Sequence, residues 1–286
     1  MINIQEIDGL KIACGINEEG FVEGRKNLVF IHGSGNDHTV WKSQYNAMDK
    51  DYNIAAVDLP GHGSSEGGGE QDVQAYVEWV KKIIGKLGLK KPVLIGHSLG
   101  AAISLTFAIK YGEMLSGIIP VGGGVKMPVN QIILDGIRQE PSSVIALAAK
   151  FSISRKNRER LSGWLTDSLT SVTPEVIYGD FLSCNRLDIT EEILQIKIPT
   201  LLVCGDDDKM TPPALSQFMK DRIPGAEMSL IEGAGHFAML ENVKMFNRVL
   251  KNFVDSLPSL LPAKSDSSRH KGTYKNGSVG SISSIS

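Results

Sequence analysis

Short apolar runs recur along the chain, and most stop at a glycine or an acid. Residues 28–31 (LVFI) end at His32-Gly33, 54–57 at Asp58, 92–95 at Gly96, 118–121 at Gly122-Gly123-Gly124, 200–204 at Gly205, and 228–231 near Gly233. Runs this short and this uniformly apolar read as strands buried on both faces of a sheet. Ahead of them, Ile2 and Ile4 alternate with Asn3 and Gln5. Asp8-Gly9 then offers a tight turn before Leu10, Ile12 and Cys14, which predicts a hairpin.

Between the runs the period lengthens to that of a helix. Val73, Tyr76, Val77, Val80, Ile83, Ile84 and Leu87 fall on one helical face. Residues 101–108 are apolar almost all round and predict a buried helix, and 213–219 and 243–254 are further helical patterns. Strand alternating with helix predicts an α/β fold, a mostly parallel doubly wound sheet covered on both faces. Ligands of such sheets bind beyond the carboxyl ends of the strands.

The alternation lapses over residues 126–188. No strand pattern occurs there, and Pro128, Pro141 and Pro174 each stand where a helix could begin. The stretch predicts a helical cap, 126–188, inserted into a core formed by 1–125 and 189–256. Its larger apolar residues, among them Ile132, Ile133, Ile137, Leu147, Phe151, Trp164, Leu165, Ile177 and Phe181, are expected to be buried. From 257 to 286 serine and glycine are dense and aromatics almost absent, so a disordered tail is expected.

Bulk composition narrows the partners. The 30 basic and 32 acidic residues leave a formal net charge of -2, which argues against nucleic acid or anionic membrane as the main partner. Three cysteines do not form a disulfide framework and suit a reducing compartment. There is no basic start followed by an apolar run, and no stretch reaches the ~18 apolar residues of a membrane span. A cytoplasmic protein without a membrane span is expected.

The chemistry sits after the strand patterns. Gly96-His97-Ser98-Leu99-Gly100 follows a buried strand and opens a buried helix, the setting of a serine elbow. Glycines two residues before and after the serine permit the strained turn, and the Leu99 N–H at the helix N-terminus can stabilise an oxyanion. A serine hydroxyl needs a positioned base. Of the six histidines, only His236 and His270 follow Ser98, and His270 lies in the tail. His236, in the loop after the last strand pattern, is therefore the expected base. An acid that orients it should come between the two in sequence. Asp206, Asp207 and Asp208 directly follow the 200–204 run, and the chemistry alone does not choose among them.

Taken together these residues resemble the α/β-hydrolase superfamily. The parts that carry the likeness are His32-Gly33-Ser34-Gly35 with Trp41 downstream, Asp58-Leu59-Pro60-Gly61-His62-Gly63-Ser64-Ser65, the elbow, Gly205-x-x-Asp208-x-x-x-Pro212, and Gly235-His236. The resemblance implies Asp208 as the acid and the Ser34 N–H as a second oxyanion donor beside that of Leu99. It also implies structural roles for Trp41 and the 58–65 loop. Glu241 resembles a glutamate that the superfamily often places after the histidine, although Val243 stands where a proline often follows. The implied activity is a serine hydrolase, first of all a carboxylesterase acting on small to medium apolar esters. A thioesterase, a lactonase, a carbon–carbon bond hydrolase or a slowly turning ligand receptor would use the same residues. A serine at the elbow disfavours the dehalogenase and epoxide-hydrolase branches. No metal or organic cofactor is expected, since no His/Cys cluster has zinc spacing and no phosphate loop occurs.

Overall fold

The computed structural model describes residues 1–258. Its eight strands are β1 (Ile2–Ile7), β2 (Leu10–Ile16), β3 (Asn27–Ile31), β4 (Asn53–Val57), β5 (Val93–His97), β6 (Gly117–Val121), β7 (Leu201–Gly205) and β8 (Glu227–Ile231). They form one sheet in the order β1-β2-β4-β3-β5-β6-β7-β8. The first hairpin and the β2–β4 pair are antiparallel, and every later pairing is parallel. The helices are α1 (Lys42–Met48), α2 (Val73–Lys86), α3 (Leu99–Tyr111), α4 (Gln131–Gln139), α5 (Pro141–Ser152), α6 (Arg158–Thr170), α7 (Pro174–Arg186), α8 (Pro213–Lys220), α9 (Ala238–Glu241) and α10 (Val243–Ser256). None among the described residues is long and apolar enough to cross a membrane.

Alternation within each strand divides the interior in two. Val29, Ile31, Ala55, Val57 and Leu94 face a core shared with α2 and α3. Leu28, Phe30, Ile54, Ala56 and Ile95 face a second core closed by α1 and α10. Because both faces are covered, β3 to β7 are buried at every position, as uniformly apolar runs require. β8 departs from that expectation. It is the edge strand, its outer side lacks a neighbour among the described residues, and Leu230 is 44% exposed.

Four helices, α4 to α7, occupy the chain between β6 and β7. Pro141 and Pro174 stand at the first positions of α5 and α7. Pro128 does not start a helix. The Asn130 side chain accepts from Ile132 N instead and caps α4. The apolar side chains of the insertion divide. Ile137, Leu165 and Ile177 are buried in a cluster continuous with the second core, whereas Ile132, Leu147 and Phe151 are exposed. A strand packed on both faces has no such freedom, but a surface helix keeps one face in water, and these three lie there. The Ser/Gly-rich tail lies outside the described residues except for its first two. Leu257 of these is buried in the second core and Lys26 Nζ donates to its carbonyl at 2.6 Å, so the ordered chain runs past residue 256.

Candidate active site

The strand order brings distant parts of the sequence to one edge. β3 and β5 are neighbours, with Ile31 opposite Gly96, although about sixty residues separate them. The loop after β3 therefore runs beside the turn after β5. The chain passes from β3 to β4 on one side and to β5 on the other, so the crevice lies where the strand order reverses. The ends of β7 and β8 deliver Asp208 and His236 to the same edge.

The elbow is strained. Ser98 has φ 55°, a region that L residues enter at a cost of about 1–3 kcal/mol. Close packing explains the glycines around it. A Cβ on Gly96 would stand 1.9 Å from Gly100 O, and one on Gly100 would stand 2.4 Å from Ile31 O. Ser98 N donates to Val121 O at 2.9 Å, which ties the turn to β6. Ser98 is half-buried and faces a cavity of about 540 Å³ that His236 also lines.

His236 and Asp208 are joined. His236 Nδ1 lies 2.9 Å from Asp208 Oδ2, both side chains nearly closed to solvent. The carboxylate also accepts from Met210 N and Thr211 N at Oδ1 and from the Thr211 hydroxyl at Oδ2, each at 2.9 Å. Burial alone would raise the Asp208 pKa, but the His236 ring and the Thr211 donors outweigh it and hold it below the ordinary carboxylate value. With Nδ1 directed at Asp208, Nε2 carries the lone pair that a base needs. The hydrogen bond from Ser98 to His236 is not formed in this structure, and such bonds often close only with substrate present.

Of the three aspartates, geometry singles out Asp208. Asp206 is exposed and among the described residues its carboxylate accepts only from Ala234 N, at 3.2 Å, while Asp207 meets Lys209 at 3.7 Å. The backbone N–H groups of Ser34 and Leu99 donate to no protein acceptor among the described residues. His97, between Gly96 and Ser98, is fully buried, and burial holds its pKa well below that of a free histidine. Its Nε2 donates to His236 O at 3.0 Å, so this neutral ring steadies the loop that carries His236.

Two residues escape the sequence reading, Thr211 and Asp180, and a third, Glu241, is noted there only for its resemblance. Thr211 braces the Asp208–His236 pair and approaches His236 Nδ1 at 3.1 Å; its one signal is a Thr three residues after an acid in a turn. Glu241 accepts from Gly235 N at 2.9 Å, from Ser154 N at 2.9 Å and from Asn157 Nδ2 at 3.1 Å, tying the histidine loop to the insertion. Asp180, on α7, is buried among donors from three other elements. Its signal is an acid within the apolar stripe Ile177, Phe181 and Cys184.

An eight-stranded, mostly parallel sheet with its polar groups at the carboxyl edge is the architecture of an α/β hydrolase. The chain belongs to the alpha/beta hydrolase family, whose sequence pattern it matches over residues 28–249. It is 26% identical over 276 residues to a 2-hydroxy-6-oxononadienedioate/2-hydroxy-6-oxononatrienedioate hydrolase of Paraburkholderia phymatum, covering 88% of this chain and 94% of that protein. Among solved structures it is similar to a thermophilic esterase, at 29% identity and a TM-score of 0.79, covering 90% of this chain and 99% of that one. In fold alone it resembles the enol-lactonase of Burkholderia xenovorans, at 19% identity and a TM-score of 0.82, covering 88% of this chain and all (100%) of that one.

Proposed function

We propose that the chain is a serine hydrolase that cleaves neutral carboxylic esters with apolar acyl groups through an acyl-enzyme. The observation that carries this reading is Ser98, with the buried His236–Asp208 pair and the two undonated N–H groups of Ser34 and Leu99, facing a mostly apolar cavity.

In this mechanism His236 Nε2 takes the Ser98 proton as the hydroxyl oxygen attacks the ester carbonyl. The Ser34 and Leu99 N–H groups hold the oxyanion. An oxyanion-hole donor is typically worth ~3–4 kcal/mol of barrier. His236 then returns the proton to the leaving alkoxide. Water, deprotonated by the same imidazole, attacks the acyl-serine, and the imidazolium returns that proton to the departing Ser98 oxygen as the acid is released. Asp208 keeps Nδ1 protonated and stabilises the imidazolium.

The cavity lining selects the substrate class. Leu165, Leu169 and Phe181 of the insertion face Met210, Leu215 and Phe237 of the core. This is why the insertion reads as a cap that sets acyl preference. Among the described residues, the one lining residue with a full positive charge is Lys126, whose side chain is 59% exposed and paired with Asp188 at 2.9 Å. The name of the Paraburkholderia relative denotes a dicarboxylate, and burying two carboxylates with only an exposed lysine, itself paired with an acid, to meet them would be costly. That favours a neutral ester over the carbon–carbon cleavage of a dicarboxylate.

A fluorophosphonate probe should label the wild-type chain, and Ser98→Ala, shown to be folded by circular dichroism, should not be labelled. A panel of p-nitrophenyl esters of increasing acyl length, with thioesters, lactones and a vinylogous dicarboxylate diketone, then reads the substrate. Labelling of the folded Ser98→Ala protein would overturn the nucleophile. Faster turnover of the dicarboxylate than of every neutral ester would overturn the substrate class.

A further inference from the structure

The Ser34 N–H lies on a loop that must hold its place to within a fraction of an ångström, because a donor contributes only where the oxyanion forms. The loop makes a turn through Gly35, whose φ is 64°. The amide next to Ser34 N–H is anchored from afar. Gly35 N donates at 2.9 Å to Asp180 Oδ2, on α7 of the insertion, 145 residues away in sequence.

Asp180 is wholly buried and makes further contacts. His62 Nε2 lies 2.9 Å from the same Oδ2, and the Tyr76 hydroxyl donates to Oδ1 at 2.6 Å. His62 belongs to the loop after β4 and Tyr76 to α2, so one carboxylate gathers the loop after β3, the loop after β4, and α2. The other ring nitrogen of His62 meets Pro60 O at 3.0 Å, so both face acceptors. Burial would lower the His62 pKa, but the Asp180 carboxylate more than reverses this. The approach of α7 requires a small residue beside Asp180. A Cβ on Gly179 would stand 2.6 Å from Glu70 O, and Glu70 N in turn donates to the Tyr76 hydroxyl at 2.9 Å.

Anchoring the insertion does not need a charge. Replacing buried ion pairs with apolar side chains is often neutral or stabilising, so apolar packing would hold α7 as well. What a carboxylate does and a leucine cannot is accept from a backbone N–H and fix its direction. We propose that Asp180 is the positioning residue of the oxyanion site: from the inserted helix it holds Gly35 N–H, and with it the adjoining Ser34 N–H, where a tetrahedral intermediate needs a donor. The inference rests on the serine-hydrolase reading and deepens it, because it makes the insertion part of the catalytic apparatus as well as a wall of the substrate cavity.

The test uses the full chain, with active sites counted by fluorophosphonate titration. Asp180→Leu, which leaves Gly35 N–H without its acceptor, should lower kcat for a p-nitrophenyl ester about 100-fold, as loss of one oxyanion donor does, with KM within about threefold. Affinity for an alkylboronic acid, which forms a tetrahedral adduct on the serine, should fall by the factor seen in kcat/KM. Amide hydrogen exchange over residues 32–36 should quicken about tenfold, equivalent to ~1.4 kcal/mol of lost local protection. That exchange readout needs no turnover, so it separates this inference from the serine-hydrolase reading. A wild-type chain that takes no probe sinks that reading, while unchanged exchange in Asp180→Leu sinks this one. Lower thermal stability with rate, boronate affinity and exchange intact would also overturn it, since that is what a merely structural carboxylate would show. If Asp180→Leu fails to fold, Tyr76→Phe removes one donor and leaves the carboxylate. It should move the same three readouts in the same direction by about two- to fivefold, and wild-type values would refute the proposal.

Discussion

The histidine loop is clamped by Glu241, and replacing this residue with Gln tests how much the clamp contributes. Glu241 is 7% exposed. One oxygen accepts from Gly235 N at 2.9 Å, and the other accepts from Ser154 N at 2.9 Å and Asn157 Nδ2 at 3.1 Å. Gln has one acceptor oxygen in place of two. Whichever way its amide turns, the NH₂ group faces either Gly235 N–H or Ser154 N–H, and one buried backbone donor loses its acceptor. An orphaned buried donor costs ~1–3 kcal/mol, and the relieved desolvation of the charge returns part of it. We expect a net loss of about 2 kcal/mol. In a chain of this size ~1 kcal/mol moves the midpoint by about 2–4 °C, so thermal unfolding should shift down by ~4–8 °C. Asn157→Ala removes the side-chain contacts to Glu241, Ser154, Gly233 and Arg160 but leaves both backbone N–H groups with their carboxylate acceptor, and should cost less than Glu241→Gln. The two variants should be non-additive by about 0.5 kcal/mol or more, because they share one carboxylate. A midpoint within about 1 °C of wild type for Glu241→Gln would show that three hydrogen bonds to a buried carboxylate give no net stabilisation here.

Two further outcomes follow from the titrating groups. Asp208→Asn should lower kcat about 10³–10⁴-fold by removing the acceptor that fixes the His236 tautomer, while Asp206→Asn and Asp207→Asn stay within about threefold; steady-state kinetics with an activated ester decide it. The His62 pKa is raised above its ordinary 6.5 by Asp180, so the stabilisation this pair provides is fully present below that value and is lost as pH rises through the raised one. The stability difference between wild type and Asp180→Asn, measured by urea unfolding from about pH 6 to about pH 9, should therefore shrink with rising pH, and a constant difference would contradict it.

The insertion changes how its role can be examined. The sequence suggests that replacing residues 126–188 with a linker would alter acyl preference more than reactivity toward an acetate. In the structure that segment also supplies Asp180 to Gly35 N, the Ser152 carbonyl to His236 N at 2.7 Å, and Ser154 and Asn157 to Glu241. Deletion would free both catalytic loops at once and lower every rate, so point changes at Leu165 or Leu169 are the cleaner probe of the cavity.

The sequence by itself determines the elements and the groups that carry chemistry. Strands buried on both faces leave continuous apolar runs, α2 leaves its stripe, and the elbow demands Gly96 and Gly100, so each is written in neighbouring residues. Ser98 is expected from the sequence for that reason, and His236 from its place after Ser98 in chain order. Ser34 and Asp208 are legible through their resemblance to the superfamily, and the structure then adds the 2.9 Å contact to His236 that Asp206 and Asp207 lack. What the tertiary structure decides are the partners of these groups. Asp180 meets Gly35 across 145 residues and His62 across 118, and Glu241 meets Ser154 across 87, and local periodicity carries no information at such separations. The exposure of Ile132, Leu147 and Phe151 was likewise decided there, because the same apolar letters serve a buried face or a solvent face depending on what packs against them. Strand order set the rest: placing β3 beside β5 brings the Ser34 loop to the Ser98 turn, and that adjacency exists only once the sheet has formed.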